Sequence, residues 1–151
     1  MIRPIQPTDR EDFIRMVNEF YHSPAVLHPI PMAHIENTFE ALMNQSPYVR
    51  AYLFECDGQT AGYALLALTY SNEAGGLTVW IEELLVLEPF RSRGLGRELF
   101  AYLKEAYPQA KRFRLEVTPE NNKAIRLYKR MGYEPFDYLQ MVLDTEEGQA
   151  Q

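Results

Sequence analysis

The sequence predicts a mixed α+β domain in three layers, with a mostly antiparallel central sheet of six to seven strands flanked by about four helices. Two amphipathic stripes with helical spacing come early, between residues 8 and 45. Three strand-like runs separated by turn signals follow, between residues 49 and 87. A strand–helix–strand unit with a glycine-rich bend then spans residues 77–117. Such a unit joins parallel neighbours, so the sheet is mixed and has helices on both faces.

Met1 to Ile5 is apolar at alternate positions and suits an opening strand. Thr8 or Asp9 can cap a helix to about Tyr21, with Phe13, Met16, Val17 and Phe20 on one stripe. Pro24, Pro29 and Pro31 make residues 22–31 a loop. A second helix is expected over 32–45, with Ile35, Phe39 and Leu42 or Met43 inward. Residues 49–55 read as a strand, Asp57-Gly58 as a hairpin turn, and 60–70 as a strand buried on both faces. After a turn over 72–76, a third run covers 77–87 and is interrupted by Glu82-Glu83. The bend from Pro89 to Gly96 opens a helix to about Tyr107 with Leu95, Leu99 and Leu103 four apart, and 112–117 is the next strand. Thr118-Pro119 supplies a cap and a first-turn proline for a helix to Met131, and Gly132 suits its C-terminal cap. Residues 133–143 are expected to form the last strand or strands. The domain is expected to span 1–144, with 145–151 as a polar, frayed tail.

The composition bounds the function. The chain has 151 residues and a net charge of −6, which argues against a general binder of nucleic acid or anionic membrane. No apolar run approaches the ~18 residues of a membrane span. Cys56 is the only cysteine, so no intrachain disulfide forms. His22, His28 and His34 match no metal motif, and no metal site is expected. The expectation is a soluble, cytoplasmic protein of one domain.

Chemistry concentrates in three places. The loop Arg91-Ser92-Arg93-Gly94-Leu95-Gly96-Arg97 follows a strand and opens a helix. That position exposes unpaired backbone N–H groups at the positive end of a helix dipole, and glycine allows close approach of an anion. A basic cluster on an acidic chain suggests one multiply charged ligand. Asn121, Ala124 and Tyr128 lie at i, i+3 and i+7, on one helical stripe. Taken singly, Asn121 also reads as a cap and Tyr128 as a core aromatic. Glu82 and Glu83 interrupt an apolar strand, and neighbouring strand residues point to opposite faces, so at least one carboxylate is buried or faces a cleft. A wet edge strand or an ion pair with arginine are the plainer readings of this pair.

Arg91-x-x-Gly94-x-Gly96 after an apolar strand resembles motif A of the GNAT superfamily of acetyl-CoA-dependent N-acetyltransferases. Asn121-x-x-Ala124-x-x-Leu127-Tyr128-x-x-x-Gly132-Tyr133 resembles its motif B. The resemblance covers residues 49–143, and the two early helices fit it. It implies that backbone groups of Leu84, Leu85 and Val86 meet the acetyl and pantetheine end of acetyl-CoA. It implies that the loop from Arg91 to Arg97 holds the pyrophosphate, that Asn121 and Ala124 line the pantetheine arm, and that Tyr128 points at the sulfur. Ser92 departs from the glycine of many members, at little cost unless positive φ is required there.

The stretch around Glu82-Glu83, together with Thr69-Tyr70-Ser71, also resembles the spermidine/spermine (diamine) acetyltransferases, in which acidic residues approach the amine. The implied activity is direct acetyl transfer to a primary amine of a cationic small molecule, such as a polyamine, a diamine or an amino compound. Acetyl-CoA would enter a splay between the strands at 77–87 and 112–117. Glu82, in preference to Glu83, would take the amine's proton, a backbone N–H near Leu85 would meet the oxyanion, and Tyr128 would protonate the thiolate. A homodimer through residues 133–143 is the expected assembly. A protein or peptide acceptor, an aminoglycoside, and a non-catalytic acyl-CoA-binding module share these motifs and stay open.

Overall fold

The computed structural model describes residues 1–145. Five strands and four α-helices follow in the order β1 (Ile2–Pro4), α1 (Arg10–Tyr21), α2 (Met32–Met43), β2 (Val49–Cys56), β3 (Gln59–Ser71), β4 (Gly76–Val86), α3 (Leu95–Ala106), β5 (Arg112–Leu115) and α4 (Asn122–Arg130). Short 3₁₀ turns at Pro7–Asp9 and Glu88–Phe90 introduce α1 and the glycine loop. The strands form one sheet in the order β1-β2-β3-β4-β5. All pairs are antiparallel except β4–β5, which is parallel. Among the described residues, no helix is long and apolar enough to cross a membrane.

The sheet separates two cores. Phe13, Met16, Val17 and Phe20 of α1 and Ile35 and Phe39 of α2 pack on one face, against Leu53, Tyr63, Leu65 and Leu85. Leu95, Leu99, Phe100 and Leu103 of α3 pack on the other, against Phe54, Ala64, Leu66, Val79 and Ile81. Leu127 and Tyr128 of α4 lie at the margin of this second core. Each fully buried side chain of this size contributes roughly 1.5–3 kcal/mol. Ala61 to Leu66 are buried without a break, because β3 is covered on both faces.

Three sequence expectations change in the structure. Asp9 stands at the N-cap position of α1, but its side chain makes no cap bond there. Its carboxylate instead receives both guanidinium N–H groups of Arg3, at 2.8 and 2.9 Å, and the Gln6 N–H at 2.7 Å, which ties β1 to the start of α1. The cap of α4 is Asn121, which accepts from the Ala124 N–H, and not Thr118. The Asn121 N–H bonds the Thr118 carbonyl, so residues 118–121 form a turn ahead of the helix.

The third change is larger. Residues 133–143 form no strand, so the sheet has five strands and not six or seven. The Tyr138 N–H bonds the Phe136 carbonyl in a tight turn that an extended ladder cannot contain. Pro135 also lacks an N–H for pairing. Side chains anchor the segment instead: Phe136 packs under the guanidinium groups of Arg112 and Arg114, and the Tyr138 hydroxyl donates to Glu73 at 2.6 Å. Leu139, Met141, Val142 and Leu143 are left 85–89% exposed. Of the expected tail over 145–151, residues 146–151 lie outside the described residues.

One position couples sheet packing to the region where function was expected. A Cβ on Gly62 would overlap the Leu85 carbonyl oxygen and come within 3.0 Å of Phe54 Cδ2 and Val86 Cα. Backbone cannot yield as a side-chain tip does, so only glycine lets β3 and β4 close here. Gly62→Ala is expected to destabilise the fold by about 1–3 kcal/mol, read as a lowered midpoint in urea unfolding. An unchanged midpoint would show that the ladder is slack at this point.

Candidate active site

The β4–β5 pairing runs from Thr78–Arg112 to Ile81–Leu115 and stops there. Pairing of β4 with β3 continues to Val86. From Glu82 onward β4 is therefore paired on one side only. The Leu87 N–H donates to Ala61 O. Alternation along the strand then turns the Leu85 backbone towards β3 as well, and that of Leu84 and Val86 towards the open side. The N–H groups that face the gap are therefore those of Leu84 and Val86, and not that of Leu85. The Val86 carbonyl already accepts from Arg91 Nε at 2.9 Å.

The β3–β4 ladder also slips at this point. Leu65 pairs with Glu83 and Leu66 with Ile81, which leaves Glu82 without a partner in a β-bulge. The bulge switches parity. Val79 and Ile81 pack on the α3 side before it, and Leu84 and Val86 do so after it. Glu82 and Glu83 therefore share the α1/α2 side of the sheet, which corrects the expectation of opposite faces.

Their environments differ. Glu83 is 6% exposed and accepts from the hydroxyls of Tyr21 at 2.6 Å and Tyr63 at 2.8 Å. Burial raises its pKa, the two hydroxyl donors oppose that rise, and Glu82 adds to it. Glu82 is exposed and opens onto a cleft, with enough protein around it to remove part of its hydration. Burial raises its pKa, and the like charge of Glu116 raises it further. Burial also pushes up both tyrosines that bond Glu83, so they stay protonated donors.

The splay holds a pocket of about 120 Å³. Glu82, Leu84, Glu116, Asn121, Ala124 and Tyr128 are among its lining residues. The Tyr128 ring packs edge-on to Phe100, with centroids 5.8 Å apart, and burial raises the pKa of its hydroxyl. Asn121 spends its side-chain oxygen on the α4 cap, so its amide hydrogens are what it can offer a ligand. A larger groove of about 1310 Å³ continues from the pocket past Glu82, Tyr21 and His28 and along β5 to Tyr138.

The glycine loop sits at the start of α3. Gly94 is the N-cap at φ +82° with no side-chain cap, so the N–H groups of Leu95, Gly96 and Arg97 lack a carbonyl one turn back. Ser92 does adopt positive φ, +64°. Its Cβ therefore carries strain of roughly 1–2 kcal/mol that glycine would avoid. Gly96 lets α3 and α4 approach, because a Cβ there would lie 3.0 Å from Leu127 Cδ2. Arg93 reaches Asp57 at 3.5 Å, stacks over Phe90 and so anchors the loop to the β2–β3 turn.

The structure thus brings Glu82, Leu84, Asn121, Ala124 and Tyr128 to one pocket. It turns Leu85 towards β3 and the α1/α2 core, and it buries Glu83. Sequence reasoning missed Glu116 as the neighbour of Glu82, and Tyr21 and Tyr63 as the partners of Glu83. The signal for Glu116 was available: a lone acid at the end of an Arg-Phe-Arg-Leu strand. Nothing local in the sequence announces the tyrosines, whose hydroxyls arrive from elements 62 and 20 residues away.

Residues 12–133 match the model of the acetyltransferase (GNAT) family. Spermine/spermidine N(1)-acetyltransferase of Bacillus subtilis is 28% identical over 111 residues, which cover 68% of this chain and 72% of that protein. Thialysine N-epsilon-acetyltransferase of Mus musculus is 26% identical over 145 residues, covering 87% and 82%. The solved structure of AAC(6')-Iy with a bisubstrate analogue superposes with a TM-score of 0.79 at 18% identity, covering 96% of this chain and 97% of that one. With most of its length matched by the family model, the chain belongs to the acetyltransferase (GNAT) family, and it is an N-acetyltransferase.

Proposed function

We propose that the protein transfers an acetyl group from acetyl-CoA to the primary amine of a small cationic molecule, directly within a ternary complex. The observation that carries this is the single pocket where Glu82, Glu116 and Tyr128 meet the open side of β4. The relatives named for spermine/spermidine and thialysine support an amine acceptor.

The chain fits acetyl-CoA. The free N–H groups at Leu95, Gly96 and Arg97 form a cradle at a helix N-terminus that suits a pyrophosphate. The open backbone groups of Leu84 and the Val86 N–H can pair with the amides of a pantetheine arm, beside Asn121 and Ala124. When bound, acetyl-CoA supplies a thioester carbonyl to be attacked and a sulfur to leave.

The residues do the rest. An ammonium is no nucleophile, and its proton is held with a pKa near ~10. Glu82 accepts that proton, directly or through water, because its carboxylate faces the pocket and its raised pKa makes it a better base. Glu116 adds negative charge that draws the amine in. The freed amine attacks the carbonyl, the C–N bond forms and the C–S bond breaks. A backbone N–H of the open β4 segment faces the oxygen that gains charge; such donors are worth roughly 3–4 kcal/mol. Tyr128 is kept protonated by burial and donates to the departing sulfur. The second nitrogen proton leaves to solvent, and Tyr128 is reprotonated from it.

Free-thiol release from acetyl-CoA over a panel of polyamines, amino acids, aminoglycosides and short peptides tests this. Turnover is expected with a small amine. Its kcat/KM is expected to fall as pH drops through the Glu82 pKa, which lies above the usual carboxylate range. Glu82→Gln is expected to lower kcat/KM by roughly 10²–10⁴-fold and to abolish that acidic limb. Tyr128→Phe is expected to slow turnover by about tenfold, since a thiolate leaves without much help. Full activity across pH in both variants would refute the assignments.

The assembly proposed is a homodimer, in the cytoplasm. Among the described residues the sheet ends in β5 with no strand on its outer side, and Leu139, Met141, Val142 and Leu143 of the segment that follows Phe136 are exposed. An open edge and exposed apolar residues are what a second copy covers. Mass measurement in solution is expected to give twice the chain mass of 17.6 kDa, and Leu139→Asp with Met141→Asp to give the single mass. A monomer at micromolar concentration would overturn the dimer.

A further inference from the structure

The groove carries a charge pattern that a polyamine does not match. Phe113 and Leu115 pack on the α3 side of β5. Alternation therefore places Arg112, Arg114 and Glu116 in a row on the other face, the face of Glu82 and Glu83. Trp80 pairs with Arg114 across the parallel ladder, two residues before Glu82. The row thus runs from two carboxylates at the splay, Glu82 and Glu116, to arginine about 6.6 Å further along the strand.

The two arginines are not equivalent. Arg112 is neutralised by Glu73 at 2.9 Å. Arg114 forms no ion pair among the described residues. Its guanidinium lies flat on Trp80, 3.9 Å from the ring centroid, with Phe136 at 5.1 Å. Its Nε is buried without a hydrogen-bond partner. Both Arg114 and Glu82 line the large groove. A partly desolvated guanidinium with no ion-pair partner within 4 Å among the described residues, which Glu73 reaches only through space, can take an anion, and its fork matches a carboxylate bidentately. A diamine with its near end at Glu82 would set its far ammonium against this cation. A molecule carrying an amine and a carboxylate would satisfy both ends.

We propose that the acceptor is a small zwitterion, a primary amine with a carboxylate on the same molecule, and that Arg114 anchors that carboxylate while Glu82 and Glu116 receive the amine. This rests on the acetyltransferase reading of the same groove. The strand spacing of about 6.6 Å is of the order of an extended lysine, which has five carbons between its ε-amine and its carboxylate.

Trp80 is the only tryptophan and lies against Arg114, so its emission reports on the anchor directly. The protein with CoA present is titrated with lysine, with lysinamide and with cadaverine, which is lysine without its carboxylate. Lysine is expected to bind roughly 10–100-fold more tightly than either of the others. Arg114→Met is expected to remove that preference while leaving cadaverine affinity within about threefold, and Arg114→Lys to keep part of it, as a charge without the fork. Equal binding of lysine and cadaverine would overturn the proposal. So would an Arg114→Met or Arg114→Lys variant that weakens all three ligands alike, which is the signature of a structural arginine. Should Arg114→Met fail to fold, the wild-type ligand series and Arg114→Lys decide.

Thiol release in parallel separates the two readings. Arg114-dependent lysine binding without turnover of any amine would sink the transferase reading and leave the anchor. Turnover of cadaverine at or above the rate for lysine would do the reverse.

Discussion

β4 keeps its ladder to β3 from Gly76 to Val86, save for the bulge at Glu82, but loses its ladder to β5 after Ile81. Most of the site depends on that one-sided release. It turns the backbone groups of Leu84 and Val86 outward without unfolding the strand, because β3 still holds it. It opens the gap that Asn121, Ala124 and Tyr128 border from α4. The bulge at Glu82 sits at the same place, so the residue that escapes the ladder is the one aimed into the gap. Bulges re-aim side chains at the cost of one pairing. Here that lost pairing coincides with the end of the parallel ladder, where pairing was already ending. Gly62 is the counterpart on β3, since only a residue without Cβ lets the two backbones approach next to Leu85.

The layers, the helices and all five strands could be read from periodicity, because each has a face that must be buried. Phe13, Met16, Val17 and Phe20 mark α1, and Leu95, Leu99 and Leu103 mark α3, whatever their partners are. The loop at Ser92 to Gly96 was readable for a different reason. Glycine at Gly94 satisfies a backbone need, a φ of +82°, that few other residues meet. What periodicity could not show was a break in itself. Opposite faces for Glu82 and Glu83 follows from regular alternation, and the bulge removes that regularity. Residues 133–143 have strand composition, but pairing needs a partner edge. The Phe136–Tyr138 turn commits the segment to side-chain anchoring on Arg112, Arg114 and Glu73 instead.

The same segment changes how the β5 arginines are read. Two arginines on an edge strand ordinarily imply a solvated rim. Phe136 and Trp80 convert Arg114 from a rim charge into one stacked between rings, where water solvates it less and an anion counts for more. The Tyr138 hydroxyl and Arg112 both bond Glu73 and hold its carboxyl below the usual range, and Arg114 adds a smaller pull through space. It is thereby committed to Arg112. The groove keeps one arginine neutralised and one available, a division that net charge and composition conceal.

Glu83 closes the argument, because its position makes little sense as a stability device. A carboxylate at 6% exposure costs free energy to bury, and its raised pKa records that cost. Because the fold favours its protonated form, its contribution to stability is complete below the unfolded carboxylate range. That contribution is lost as pH rises through the folded value. An apolar residue in its place would avoid this. What Glu83 supplies is geometry. The Tyr21 hydroxyl from the end of α1 and the Tyr63 hydroxyl from β3 converge on it, next to the bulge. Tyr21 also lines the groove. The acid therefore fixes the wall of the large groove to the strand position from which Glu82 projects. With α1 tied there, the distance between that wall and Glu82 is set by two short hydrogen bonds and not by packing alone.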